Sequence, residues 1–194
     1  MPLPVPPSAI SCVAVAPGDG LADVFRSTGC EQVVFGGPTM NPSTKDILDA
    51  IDSCQTDDVV VLPNDKNIIL AAEQAVGMTR KNVRVVKSRS VPQGLAALLA
   101  VNPEDGLDEN AQAMEAALSV VRTIEITRAA RSTSVDGVEV EIGQAIAIVD
   151  DKLTLAAESP EDALLEALRG LTGDGTSLVT RKRFPYTGRE TVRI

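Results

Sequence analysis

A chain of 194 residues with 44% hydrophobic side chains can bury a real core, and with three Phe, one Tyr and no Trp that core must be built from Val, Ile, Leu and Ala, as in closely packed α/β layers. The net charge of −9 disfavours nucleic acid and anionic membrane as partners. The absence of His excludes Ser-His-Asp hydrolysis, Cys-His catalysis, His-ligated metal and His-mediated proton transfer on this chain.

The opening "MPLPVPPSAIS" has no basic start and is broken by prolines, so residues 1–9 read as an arm or linker rather than a secretory signal. No apolar run approaches the ~20 residues of a membrane span, and no membrane insertion is expected. "ISCVAVA" ends in "PGDG", after which Leu21, Val24 and Phe25 begin a helix capped by Asp19. "EQVVF" ends in "GGPTMNPST" and leads to a helix with Ile47, Leu48 and Ile51. "DVVVL" ends in "PNDKN" before a helix carrying Ile68, Ile69, Ala72, Ala75 and Val76. "NVRVV" ends in "KSRSVPQG" before "LAALLAV". Four repeats of strand, polar loop and helix predict a parallel sheet, with all four loops at the carboxyl ends of the strands, where open α/β sheets bind ligands or partners. Cys12, Cys30 and Cys54 form no CxxC pair and read as small buried hydrophobes in a reducing, cytoplasmic compartment.

The pattern changes after "VNPEDG". A helix over about 107–121, apolar at Met114, Ala117, Leu118 and Val121, precedes the alternating strand "TIEITRAARSTSV", the run "VEVEIGQAIAIVDD" and "KLTLAAE". Turns at Asp136-Gly137 and Asp150-Asp151 make this an antiparallel meander. Ser159 caps a further helix with Pro160 at its first position, ending near Gly170, and "TSLVTRKRF" reads as a last strand. The fold class is therefore α/β, with a parallel subdomain over 10–104 and an α+β antiparallel subdomain over 105–194, the boundary falling near Pro103.

Two loops hold the candidate binding residues. "GGPTMNPST" lacks both the GKS or GKT ending of a Walker loop and the GxGxxG spacing of a dinucleotide site. Two readings stay open: a connection in which Gly36 and Gly37 supply unusual φ and Ser43 or Thr44 caps the helix, or a contact surface using Thr39, Asn41, Ser43 and Thr44. "PNDKN" offers Asn64, Asp65, Lys66 and Asn67 at the next strand end, where turn formation and capping account for most of the composition and Lys66 could meet an anion. Asp19 and Asp23 in "GDGLAD" are better explained by helix capping than by metal, since a phosphoryl-transfer site needs several convergent carboxylates. The basic "TRKRF" fits a solvated strand edge about as well as a docking patch.

"GGPTMNPSTKDILDAI", "VVVLPNDKNIILAAEQA" and "VPQGLAALLAVNP", in that order, resemble the C-terminal region of the dihydroxyacetone-kinase-like proteins, among them the ATP-binding subunit of bacterial fatty acid kinase. The resemblance runs from about Ile10 to Val179. It implies a DegV-like fold and a modular protein with an upstream nucleotide-binding kinase domain that holds Mg-ATP, leaving no cofactor and no metal on this chain. It also implies a DegV-like fatty-acid-binding partner and admits a homodimer. "MNPST" stands roughly where the DegV family has a Thr-Ser-Gln-Pro-Ser run that grips a lipid carboxylate, so the loop reads as an inherited ligand loop turned to shape or partner contact. The acidic Mg-ATP cluster of the family's kinase domain and the His of the sugar kinase have no counterpart here, and no catalytic residue is expected. Relatives continue past "LVT" to a "GGQP…YP" segment, whereas this chain reads "RKRFPYTGRETVRI". The expected function is a non-catalytic domain that docks the fatty-acid-carrying partner for acyl phosphate formation. The alternative is a fatty-acid or small-molecule carrier in its own right, with a pocket between the subdomains closed by Thr39 or Ser43; a weaker third is kinase or phosphatase activity using Asp19.

Overall fold

The computed structural model describes residues 10–37, 40–135, 137–150 and 152–171. The short apolar runs form β1 (Ser11–Ala16), β2 (Gln32–Phe35), β3 (Asp58–Leu62) and β4 (Asn82–Val85), all parallel, in the order β2-β1-β3-β4. Every residue of β1 is buried, because side chains alternate between two covered faces. Cys12, Ala14 and Ala16 pack with Phe25 of α1 (Asp19–Ser27), with Ala97 and Leu98 of α4 (Val91–Leu99) and with Met114 of α5 (Leu107–Leu118). Val13 and Val15 pack on the other side with Ile47 and Ile51 of α2 (Thr44–Ser53) and with Ala72 and Ala75 of α3 (Ile69–Val76). Full burial of Ile47 or Ile51 stabilises by roughly 1.5–3 kcal/mol each, which fixes the register of α2 on the sheet.

Several expectations are corrected locally. Asp19 is the first residue of α1 rather than its cap: Gly18, at φ 79°, takes the cap position, and no side chain bonds there. Val24 lies 41% exposed, and Ala22 and Phe25 form the buried stripe. Gly36 and Gly37 are not among the residues at positive φ. They are needed for close approach: a Cβ on Gly36 would lie 2.5 Å from Cδ of Pro42, and one on Gly37 would lie 2.9 Å from Cβ of Pro17.

The first unit extends to Val121, where the sequence reading divides the chain near Pro103. Asn110 supplies the reason. This fully buried residue donates from Nδ2 to the carbonyls of Asn102 (3.0 Å), Asp105 (2.9 Å) and Gly106 (3.0 Å), and its Oδ1 accepts from the Asn102 amide at 2.8 Å. The "VNPEDG" turn is thereby folded back onto α5, whose Leu107, Ala111 and Met114 join the core of the parallel sheet.

The second unit begins at Arg122. The stretch read as one strand, "TIEITRAARSTSV", forms β5 (Ile124–Arg128) and β6 (Thr133–Val135), and the next run forms β7 (Val138–Val140) and β8 (Ala145–Val149), followed by β9 (Lys152–Ala157). The breaks coincide: Ala129 bonds Gly143 and Gln144 through its backbone, and Gly143 sits at φ 88°, so both chains turn at the same level. A three-stranded antiparallel sheet of order β5-β8-β9 and a ribbon of β6 and β7 result. Helix α6 (Pro160–Leu171) lays Ala163 and Ala167 on Ile124, Ile126, Ala145 and Ala147. Ser159 caps it as expected, its hydroxyl accepting from the Asp162 amide at 3.1 Å. The N-terminal arm and the strand expected over "TSLVTRKRF" lie outside the described residues.

Candidate functional site

The carboxyl edge of the parallel sheet gathers the loops that follow β1, β2, β3 and β4. After β2, Gly37 and Met40 exchange two backbone hydrogen bonds of 3.0 Å. Thr39 lies outside the described residues. Met40 is 62% exposed and Asn41 beside it is exposed, held off the helix by Pro42, which is buried. Ser43 closes a capping box: its hydroxyl accepts from the Asp46 amide at 3.1 Å, and its own amide donates to Asp46 Oδ2 at 2.8 Å. The Ser43 hydroxyl also donates to Asp46 Oδ2 at 2.7 Å, and this bond, with that from the Ser43 amide, holds the Asp46 carboxyl below its ordinary pKa. Thr44, half-buried, reaches Gln74 of α3 through its hydroxyl at 3.2 Å. Ser43 and Thr44 thus already have structural uses, and Asn41 presents itself to solvent.

After β3, Asn64 turns inward. It adopts the left-handed backbone at φ 58° and is 5% exposed. Its Nδ2 donates to the Val15 carbonyl at 2.8 Å; its amide donates to Ser88 Oγ at 3.0 Å, and the Ser88 hydroxyl returns a bond to Asn64 Oδ1 at 2.7 Å. Ser88 is fully buried, with its proton and one lone pair both used, so it is no free nucleophile. The first turns of α4 close over the carboxamide. A Cβ on Gly94 would stand 1.9 Å from Asn64 Oδ1. Strand order β2-β1-β3-β4 places the reversal of connection between β1 and β3, the crevice where open α/β sheets take ligands, and here the Asn64 side chain bridges that position. Next along the loop, Asp65 is buried and accepts from the Asn67 amide at 2.9 Å, turning Lys66 and Asn67 outward to exposed positions. Leu70, 64% exposed, follows in the first turn of α3.

The six described candidates therefore divide, Thr39 being the seventh. Asn41, Lys66 and Asn67 lie exposed on one edge; Ser43, Thr44 and Asn64 are tied into the fold around it. Sequence reasoning missed Ser88 and Gly94, both placed in the loop "KSRSVPQG"; α4 begins at Val91 instead, capped by Ser90, so Gly94 lies inside the helix, where a glycine is a sign of close packing. It also missed Met40 and Leu70, whose apolar character suggests burial. No group of three or more Cys, Asp or Glu placed to hold a metal ion occurs among the described residues. The three cysteines are free and buried, and burial raises the thiol pKa of Cys12 to about 12 and of Cys54 to about 11, and pushes that of Cys30 higher still. What the edge can do chemically is bind by surface contact, through amides, charged groups and exposed apolar side chains. No described helix is long and apolar enough to cross a membrane.

The sequence matches the FakA-like C-terminal family, the C-terminal region of fatty acid kinase chains of the FakA type, over residues 11–182. Protein YloV of Bacillus subtilis (strain 168) is 39% identical over 168 residues, which are 87% of this chain and 30% of that protein; the chain thus spans under a third of the length of the curated relative it matches. Among solved structures, a DegV family protein from Ruminococcus gnavus, described with vaccenic acid, superposes with a TM-score of 0.62 at 10% identity, covering 89% of this chain and 81% of that one. A DegV family protein from Corynebacterium glutamicum gives 0.56 at 13% identity, covering 82% and 72%. At these identities the likeness establishes the fold, which is DegV-like.

Proposed function

Since the chain belongs to the FakA-like C-terminal family of fatty acid kinase, we propose that it is the non-catalytic docking domain of such a kinase, engaging a DegV-like fatty-acid-binding partner so that the acyl carboxylate reaches Mg-ATP held on a separate kinase domain for acyl phosphate formation. One observation carries this reading. The crevice where an α/β sheet takes a small ligand is bridged by Asn64, while Met40, Asn41, Lys66, Asn67 and Leu70 face outward along the same edge. An edge filled within and exposed without suits a protein surface better than a small molecule. The sequence adds that no His is present to serve as acid or base. Titration calorimetry of the chain against a folded DegV family protein loaded with fatty acid tests the proposal. A complex at roughly tens of micromolar or tighter is expected, and its absence at those concentrations would refute docking.

A carrier role is the second reading, favoured by the vaccenic acid of the Ruminococcus gnavus structure. Mass spectrometry of the purified chain under denaturing conditions separates the two. A carrier releases bound lipid, and a docking domain releases none.

A further inference from the structure

We propose that Asn64 is the positioning residue of the docking edge: its carboxamide, rather than a bound ligand, fills the crevice between β1 and β3 and sets the loop after β3, the loop after β4 and the start of α4 as one rigid surface. The inference deepens the docking reading and rests on it.

Asn64 ties its own loop to two other segments through one side chain and its own amide. Nδ2 donates to Val15 at the end of β1, Oδ1 accepts from Ser88 after β4, and the backbone amide donates to the same hydroxyl. Stability alone does not call for this arrangement, because replacing both sides of a buried hydrogen-bonded pair by apolar groups of the same shape is about neutral. What the amide adds is direction. Hydrogen bonds of 2.7 to 3.0 Å fix the spacing of the strand ends in a way that apolar contact does not. Two further features accompany it. The residue holds a left-handed backbone that disfavours most side chains and is tolerated by Asn. Gly94 gives up helical propensity at the one place where a methyl group would strike the carboxamide, 1.9 Å from Oδ1. Asn64 also stands in the same loop as the exposed Lys66 and Asn67, two and three residues before them.

The test uses the whole chain with two substitutions. Asn64→Gly removes the carboxamide and keeps the left-handed backbone without strain; Ser88→Ala removes only the hydroxyl and guards against the first variant failing to fold. Each is measured by calorimetry against a fatty-acid-loaded DegV family protein, by melting temperature, and by amide hydrogen exchange over 63–70 and 86–94. The expected result is that exchange rises in both segments together, that it stays unchanged in the second unit, and that partner affinity falls about tenfold in a protein that remains folded at the assay temperature. Exchange that rises in one segment alone overturns the coupling. Exchange that rises in both with affinity within about twofold of wild type overturns the positioning role. A wild-type chain that binds no partner overturns the docking reading itself and is recognised without reference to either variant.

Discussion

Replacing Gly94 by Ala probes the packing on which the edge depends. In an unconstrained helix the change is favourable by about 0.8–1 kcal/mol. Here the new Cβ would lie 1.9 Å from Oδ1, 2.6 Å from Cγ and 2.8 Å from Nδ2 of Asn64, so the whole carboxamide stands in its way. Admitting the methyl means expelling the amide from its bonds to Val15 and Ser88, or shifting α4. Each buried polar group left without a partner costs about 1–3 kcal/mol, and two are at stake. After subtracting the propensity gain, Gly94→Ala is expected to destabilise the first unit by about 1–5 kcal/mol. Urea denaturation monitored on that unit's transition measures it, since two units can unfold separately. The double variant Asn64→Gly with Gly94→Ala sharpens the test: with the carboxamide gone the methyl has room, and the combined loss should fall short of the sum of the single losses by about 1 kcal/mol or more. A Gly94→Ala chain as stable as wild type, with additive single effects, would refute the claim that the crevice is filled tightly.

Asn110→Ala should cost about 2–4 kcal/mol in the same assay by stranding the Asn102 amide and the carbonyls of the "VNPEDG" turn, and Asn110→Asp should not rescue it, because a carboxylate cannot donate to three carbonyls. Ser43→Ala should cost about 0.5–2 kcal/mol through the lost cap, while Thr44→Ala, which gives up one exposed bond to Gln74, should change the melting temperature little. The depressed Asp46 pKa means that its contribution is present above the ordinary carboxylate range and is lost as pH falls through the lowered value; an acid melting series in which wild type and Asp46→Asn converge at low pH checks this. The thiols run the other way. Burial keeps Cys12 and Cys54 protonated up to about 12 and 11, so their contribution is complete below the unfolded pKa near 9 and is lost as pH rises toward those values; the melting temperature should fall between pH 9 and 11, and fall less in a chain carrying Cys12→Ala and Cys54→Ala.

The βα repeats were legible because burial on both faces leaves continuous apolar runs such as "VAVA" and "VVVL", and because helix periods between them are regular. The antiparallel half was harder to read. Alternation continues across "TIEITRAARSTSV" even though the backbone of Ala129 leaves the ladder to bond Gly143 and Gln144, and no local residue type announces that bend. The boundary after Val121 depends on Asn110, a polar residue inside a helix whose partners lie in the preceding turn. Within the candidate site, polarity marked the right loops without separating exposed from buried groups. Asn41 and Asn64 look alike in sequence, yet Pro42 holds the first outward and a left-handed turn carries the second under α4.

The central claim is that the carboxyl edge of the parallel sheet meets the partner, and a paired calorimetric comparison tests it most directly. A chain carrying Met40→Ala and Asn41→Ala is titrated with the fatty-acid-loaded DegV family protein beside a chain carrying Arg80→Ala, an exposed position in the turn between α3 and β4 on the opposite edge. Two neighbouring contact residues should together contribute about 1.4 kcal/mol or more, so the account predicts at least about tenfold weaker binding for the first chain, an unchanged melting temperature, and wild-type affinity for the second. Equal affinity for both chains, with wild type binding normally, would contradict it and move the docking surface away from "GGPTMNPST".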